Sequence, residues 1–117
     1  MKGKIILVPF PFDDLSSSKV RPAVCLTDYI GEYNHIVIAF ITSSKTDELI
    51  ESDIFIDSNN SEFKETGLKI SSTIRLQRLI TISKSIIRRE LGQLPDKYRI
   101  QIDSCLLRLF KLKTKKT

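Results

Sequence analysis

The sequence predicts an α+β domain that is mostly β, in which short antiparallel strands precede a C-terminal helix. Short runs rich in Val, Ile and Phe alternate with turn residues as far as Ile82, and helical spacing of apolar residues begins after Pro95. Strands followed by a terminal helix favour a sheet that curls into a small barrel with the helix over one side. The 117 residues predict a single domain over 1–112 and a basic tail over 113–117.

The first two predicted strands are Ile5–Phe10 and Val20–Leu26, which flank a loop. Pro9 and Pro11 lack an N–H donor, so they end the first strand or confine it to an edge. Arg21 stands at the start of the second strand, which suggests a cation held at a groove. A plain hairpin with a surface arginine explains the same pattern.

Two further β segments follow a turn at 28–34. His35–Ile41 is predicted to be a central buried strand that ends at Thr42, where hydroxyl side chains cluster, and Ile54–Asp57 a short strand. The segment 68–82 is β-rich, and simple alternation would place three polar residues on one face: Arg75, Gln77 and Thr81.

Two helices are predicted near the C-terminus. Ser83 is a suitable cap for a short helix, Lys84–Leu91, which Gly92 would close. Pro95 suits the first turn of a second helix that runs to about Lys111. Its core-facing apolar stripe has helical spacing and consists of Tyr98, Ile102, Cys105, Leu106 and Leu109.

Charge is segregated along the chain. The net charge of +5 equals the five basic residues of the last ten positions, but 47–65 holds seven acids and one lysine, and 69–89 holds six basic residues and no acid. The second segment is the better candidate for contact with a phosphate backbone. A lysine-rich end is more often a solvated tail.

Several classes of protein are disfavoured by composition. No apolar run is long enough to span a membrane, no secretory cleavage site is recognisable, and the cytoplasm is the expected compartment. Cys25 and Cys105 lie in apolar patterns typical of buried thiols, and no zinc site is expected. His35 is the only histidine, so a ribonuclease with paired imidazoles is excluded.

Three segments resemble the MazF/PemK family of toxin endoribonucleases. They are Arg21-Pro22-Ala23-Val24, the strand end Ala39–Ser43, and Ser72–Gln77 followed by Leu79–Ile82. The resemblance runs in order from about Lys4 to Leu109. It implies an SH3-like antiparallel β-barrel with short helices and a C-terminal helix.

The resemblance also implies a function. Relatives are cofactor-free, metal-independent toxins that cut single-stranded RNA, such as mRNA, at specific sequences, act as homodimers, and are neutralised by a cognate antitoxin with a disordered, often acidic segment. RNA cleavage needs no histidine pair, because the 2′-hydroxyl is an internal nucleophile that the protein aligns while stabilising charge on the phosphate. A gyrase-poisoning toxin and an inactive RNA- or protein-binding relative use the same fold and remain alternatives.

The resemblance assigns catalytic roles to three residues. Arg21 would stabilise the phosphate and take part in proton transfer, Thr42 would hydrogen-bond the phosphate, and Arg75 would be a second catalytic arginine. Each has a plainer alternative: an exposed strand-start charge, a turn hydroxyl and a solvated strand face. The expected substrate contacts are Phe12, Ser18, Lys19, Ser43, Ser72 and Gln77. Relatives carry an acid at the last of these positions, and glutamine cannot act as a general base.

Overall fold

The computed structural model describes residues 1–10, 19–43 and 48–113. Within them, six strands form one sheet, followed by one α-helix. The elements are β1 (Lys4–Pro9), β2 (Val20–Cys25), β3 (His35–Thr42), β4 (Asp53–Ile56), β5 (Ser72–Ser83), β6 (Arg89–Gln93) and α1 (Asp96–Leu109). Single 3₁₀ turns lie at Phe63–Thr66 and Lys84–Ile86.

The strand order across the curled sheet is β4-β5-β3-β2-β1-β6, and every neighbouring pair is antiparallel. The predicted class, a mostly β antiparallel fold with a C-terminal helix, is therefore confirmed. The edge strand β4 is short and pairs with β5 only from Ser72 to Arg75. Among the described strands, the second half of β5, Leu79 to Ser83, pairs only with β3.

Both faces of the sheet carry buried apolar side chains. The helix face is the one that packs against α1, and its strand residues include Ile5, Val24, Ala39, Ile41, Ile74 and Leu76. The second face includes Ile6, Val8, Ala23, Cys25, Ile36, Ile38 and Ile82. This division follows from the two-residue period of a strand, and it explains why the strands read as nearly continuous apolar runs.

A large bulge interrupts the pairing of β3 with β5. Ala39 pairs with Leu79, but Ile41 pairs with Ile74, so the four residues 75–78 lie opposite Phe40 alone. The bulge changes the phase of the strand: Ile74 and Leu76 belong to the helix face, and so does Leu79.

The predicted alternation of Arg75, Gln77 and Thr81 onto one face is therefore wrong. Arg75 points away from the helix face, because its neighbours on either side, Ile74 and Leu76, pack on that face. After the bulge, Ile82 belongs to the second face, so Thr81 points the other way.

The predicted helix Lys84–Leu91 is also wrong. Only one 3₁₀ turn forms after Ser83, whose hydroxyl accepts a hydrogen bond from the Ser85 N–H, and the chain then enters β6. The sheet offers a partner that local sequence does not reveal, because β6 pairs with β1. Gly92 lies within this strand, where the backbone of Glu65 and Thr66 approaches so closely that a Cβ atom would lie 2.2 Å from the Glu65 carbonyl oxygen.

The C-terminal helix is confirmed, with Pro95 as its cap and Asp96 as its first residue. Tyr98, Ile102 and Cys105 of the predicted stripe are buried against the helix face, whereas Leu109 is exposed. In the described part of the chain, no helix has the length and apolar character needed to cross a membrane.

Candidate active site

A pocket of about 190 Å³ lies where β2 begins and β3 ends. Its lining combines two guanidinium groups, one hydroxyl, two aromatic rings and one aliphatic side chain, contributed by Arg21, Arg78, Thr42, Phe10, Phe40 and Ile41. The structure therefore brings together two of the three predicted catalytic residues, Arg21 and Thr42.

The pairing of the strands sets the positions of both Arg21 and Thr42 in the sheet. Arg21 lies on β2 opposite Val8 of β1. Just beyond these strands, the Phe10 N–H donates to the Lys19 carbonyl oxygen at 3.1 Å, which holds the end of β1 beside the start of β2. Thr42 is the last residue of β3, opposite Thr73 on β5. Because antiparallel β2 and β3 are neighbours, the start of one lies beside the end of the other.

Two aromatic rings support the Arg21 side chain. The Arg21 Cζ lies 5.8 Å from the centroid of the Phe10 ring, a distance suited to a cation–π contact. The Phe10 ring in turn packs edge to face on Phe40, with the ring centroids 5.1 Å apart and the planes at 71°. The guanidinium therefore rests on a packed aromatic pair.

Within the described residues, the lining of the pocket carries positive and no negative side chains. Arg21 and Arg78 are both exposed, and neither forms an ion pair with any acidic residue in the described ranges. A guanidinium presents a planar fork of N–H donors that matches the oxygens of a phosphate. With the Thr42 hydroxyl beside them, the two arginines form a candidate anion-binding site.

Arg75, the third predicted catalytic residue, does not line this pocket. Its Nη1 lies 3.6 Å from Oδ2 of Asp53, its pairing partner on β4, whose side chain is fully buried. The same Oδ2 accepts a hydrogen bond from the Ile50 N–H at 3.0 Å, while Oδ1 has no hydrogen-bond donor within the described structure. Arg75 thus neutralises a buried carboxylate at the edge of the sheet.

Gln77 and Ser72 also lie outside the pocket lining. The Gln77 side-chain oxygen accepts a hydrogen bond from the Ser52 hydroxyl at 2.8 Å. Ser72 is buried, and its hydroxyl donates to the Ile70 carbonyl oxygen at 2.9 Å. The position at which relatives carry an acid therefore belongs to a contact between β5 and the segment before β4.

Two of the other predicted substrate contacts, Ser43 and Lys19, lie close in sequence to pocket residues but are not part of the lining. Ser43 is exposed directly after Thr42, and Lys19 is exposed two residues before Arg21. Phe12 and Ser18 fall outside the described residues. Their contact with substrate stays a prediction.

Arg78 is the charged residue of the pocket that the sequence did not predict as a site residue, and the apolar lining residues Phe10, Phe40 and Ile41 were not predicted either. Alternation along β5 fails at this point, because two polar residues, Gln77 and Arg78, are followed by two apolar residues, Leu79 and Ile80. A paired break of this kind is the signal of a bulge that changes which face the strand presents. It could have indicated that Arg75 and Arg78 do not share surroundings.

The site has no metal centre in the described part of the chain. No group of three or more His, Cys, Asp or Glu side chains comes together there in a way that could hold an ion. The lining of the pocket is cationic and hydroxylic, which suits an anion.

Comparison with known proteins matches residues 1–110 to the family described as PemK-like, MazF-like toxin of type II toxin–antitoxin system. One similar solved structure is a mycobacterial endoribonuclease in complex with its cognate antitoxin, with a TM-score of 0.73, 11% identity and 97% of both chains covered. Another is Mycobacterium tuberculosis toxin MazF-mt6, with a TM-score of 0.69, 18% identity, and 95% of this chain and 99% of that chain covered. No curated protein sequence gives a significant match. At these identities the structural likeness shows a shared fold.

Proposed function

The chain belongs to the PemK-like, MazF-like toxins of type II toxin–antitoxin systems, and we propose that it is an endoribonuclease that cleaves single-stranded RNA without a metal or cofactor. The observation that carries this proposal is the pocket whose lining brings Arg21, Arg78 and Thr42 together. A cationic pocket with a hydroxyl fits the oxygens of a phosphodiester.

The proposed reaction uses the nucleophile that RNA itself contains. The 2′-oxygen attacks the adjacent phosphorus, the bond to the 5′-oxygen breaks, and the products carry a 2′,3′-cyclic phosphate and a 5′-hydroxyl. One proton leaves the 2′-oxygen and one is gained by the 5′-oxygen. Arg21 stabilises the additional negative charge on the phosphorus oxygens, and Thr42 donates a hydrogen bond to one of them.

His35 plays no part in this proposed chemistry. It begins the eight-residue strand β3 and Thr42 ends it, which separates their backbones by about 23 Å at the usual rise of a strand. In this proposal Arg21 takes part in proton transfer together with solvent, as the family resemblance implies, and the gain in rate comes mainly from alignment and charge stabilisation.

The proposed biological setting follows the family. The substrate is mRNA in the cytoplasm, bound as a single strand because unpaired bases can be read at their edges. The active form is a homodimer, and a cognate antitoxin with an acidic segment competes with RNA for the cationic pocket. The exposed guanidinium of Arg21 supports both ligands, since each is polyanionic.

The test is an RNA-cleavage assay in EDTA with a long mixed-sequence RNA. Wild type is compared with Arg21→Ala, Thr42→Val and Thr42→Ser. The two Thr42 variants separate loss of the hydroxyl group from loss of the methyl group. We expect Arg21→Ala and Thr42→Val to lose about 100-fold or more in rate, as is typical for one transition-state donor. Thr42→Ser should keep most of the activity. Circular dichroism confirms that each variant is folded.

Three results are decisive. Discrete cuts with cyclic phosphate ends, lost in Arg21→Ala and Thr42→Val, support the enzyme and its site. If wild type yields no cuts at any concentration, the ribonuclease proposal is refuted, and gyrase inhibition that depends on C-terminal residues becomes the next assay. Cuts that survive Arg21→Ala at the wild-type rate keep the activity and refute the site.

A further inference from the structure

We propose that Arg78 is the second phosphate-binding residue of the pocket and that Arg75, three residues earlier, is a structural residue of the β4–β5 edge. This inference rests on the proposed RNA-cleaving function. It is carried by the position of the two arginines at opposite ends of the same bulge, where residues 75–78 lie opposite Phe40.

The bulge sends the two guanidiniums to different places. Arg75 still belongs to the regular part of β5, where its pairing partner is Asp53 on β4. Arg78 is the last residue of the bulge and lines the pocket together with Arg21, Thr42 and Phe40. If the regular pairing of Ile41 with Ile74 continued along the two strands, Arg75 would lie opposite Phe40. The bulge is therefore the reason that Arg78, and not Arg75, lines the pocket.

The surrounding charges lead to the same assignment. The Arg75 guanidinium lies 3.6 Å from a fully buried carboxylate, and moving it to a substrate would leave that carboxylate without its counter-charge. Arg78 is exposed and has no ion-pair partner among the described acidic residues. Of these two arginines, Arg78 can bind a phosphate without the loss of a buried interaction, whereas Arg75 cannot.

Two arginines on one small pocket suit the charge that develops during cleavage. A phosphodiester carries one negative charge, and the pentacoordinate state carries about one more, spread over its non-bridging oxygens. Arg21 lies on β2 with its guanidinium near the Phe10 ring, and Arg78 lies on β5, so the two arginines reach the pocket from different strands of the sheet. Each can offer a fork of N–H donors to the same phosphate, and this binding strengthens as charge develops.

The experiment compares four variants by cleavage and binding. Arg78→Ala removes the proposed group, Arg78→Lys keeps its charge without the fork, and Arg75→Ala removes the neighbouring arginine. Lys64→Ala is the matched charge control, because Lys64 is exposed, lies outside the basic segment 69–89 and does not line the pocket. Binding is measured at several salt concentrations with a fully 2′-O-methylated RNA that cannot be cleaved.

We expect Arg78→Ala to lower kcat/KM by about 100-fold and to reduce the slope of log affinity against log salt by about 0.7, the value for one lost contact to a single strand. Arg78→Lys should recover the slope but only part of the rate. Arg75→Ala should lower Tm by about 12 °C yet cleave within about threefold of wild type below its transition. Lys64→Ala should match wild type in rate, slope and Tm.

The outcomes separate this inference from the proposed function. Suppose that wild type cleaves RNA, that Arg78→Ala cleaves at the wild-type rate, and that Arg75→Ala is folded but inactive. This result overturns the inference and keeps the proposed function. Binding that depends on Arg78 without any cleavage by wild type keeps the phosphate site and refutes the nuclease. Neither binding nor cleavage by wild type overturns both. If Arg78→Ala does not fold, Arg78→Gln, which keeps the aliphatic stem, takes its place.

Discussion

The ion pair between Arg75 and Asp53 gives a stability prediction that is independent of any activity. The two groups lie 3.6 Å apart, and the exposed fraction of the side chain is 22% for Arg75 and 0% for Asp53. At an effective dielectric constant of about 20, the Coulomb attraction at this distance is about 4 to 5 kcal/mol. Because the arginine is partly screened by water, we expect Arg75→Ala to lower the free energy of unfolding by about 3 kcal/mol.

The assay is urea unfolding followed by circular dichroism, with thermal unfolding beside it. For a chain of 117 residues, the usual unfolding entropy converts 1 kcal/mol into about 4 °C, so Tm should fall by about 12 °C. The matched control is Arg108→Ala. Arg108 pairs with Glu51 at the similar distance of 3.8 Å, but their side chains are 57% and 83% exposed. This variant should stay within about 0.5 kcal/mol of wild type.

A double-mutant cycle tests the cause. The double variant Arg75→Ala/Asp53→Ala should lose less stability than the sum of the two single variants, with a coupling energy of about 2 kcal/mol. The reason is that Arg75→Ala leaves the Asp53 carboxylate buried without a counter-charge, and Asp53→Ala removes that carboxylate. If the single effects simply add, or if Arg75→Ala costs no more than Arg108→Ala, the ion pair does not stabilise the fold in the way described.

Two further predictions concern Gly92 and Cys25. Gly92→Ala should lower the free energy of unfolding by about 3 kcal/mol, because its Cβ would lie 2.2 Å from the Glu65 carbonyl oxygen. The control is Gly31→Ala, which lies in open space at φ +72 and should lower the free energy of unfolding by only about 1 kcal/mol. Equal Tm shifts of the two variants would contradict this reasoning. Burial raises the pKa of the Cys25 thiol from 9.0 to about 11, so between these values the unfolded state loses a proton that the folded state keeps. The free energy of unfolding of wild type, measured against Cys25→Ala, should therefore fall by about 2 kcal/mol between pH 8.5 and 10.5, whereas parallel pH profiles would exclude the thiol as the cause.

Local patterns were sufficient to predict most of the fold. The apolar runs gave the first three strands and β4, and the helical spacing after Pro95 gave α1 to within a few residues. β6 was missed because Ile-Ile-Arg-Arg-Glu-Leu also suits a helix. Only the free edge of β1, a partner more than 80 residues away in sequence, makes this segment a strand.

The candidate site was predictable where it depends on strand ends and not where it depends on the bulge. Arg21 begins one strand and Thr42 ends the adjacent one, so pairing alone brings them together. The choice between Arg75 and Arg78 depends on how many residues lie opposite Phe40. That number is set by tertiary pairing, which alternation along a single strand cannot supply.

Because β4 is short, the second half of β5, Leu79 to Ser83, has no partner on that side among the described strands. Its sequence, Leu-Ile-Thr-Ile-Ser, is uncharged and rich in β-branched residues, the composition that promotes addition of a strand from another molecule and aggregation. Arg78 and Lys84 flank it, and charged residues at such flanking positions generally oppose the stacking of strands. The guanidinium proposed to hold RNA would thus also help to keep the protein in solution.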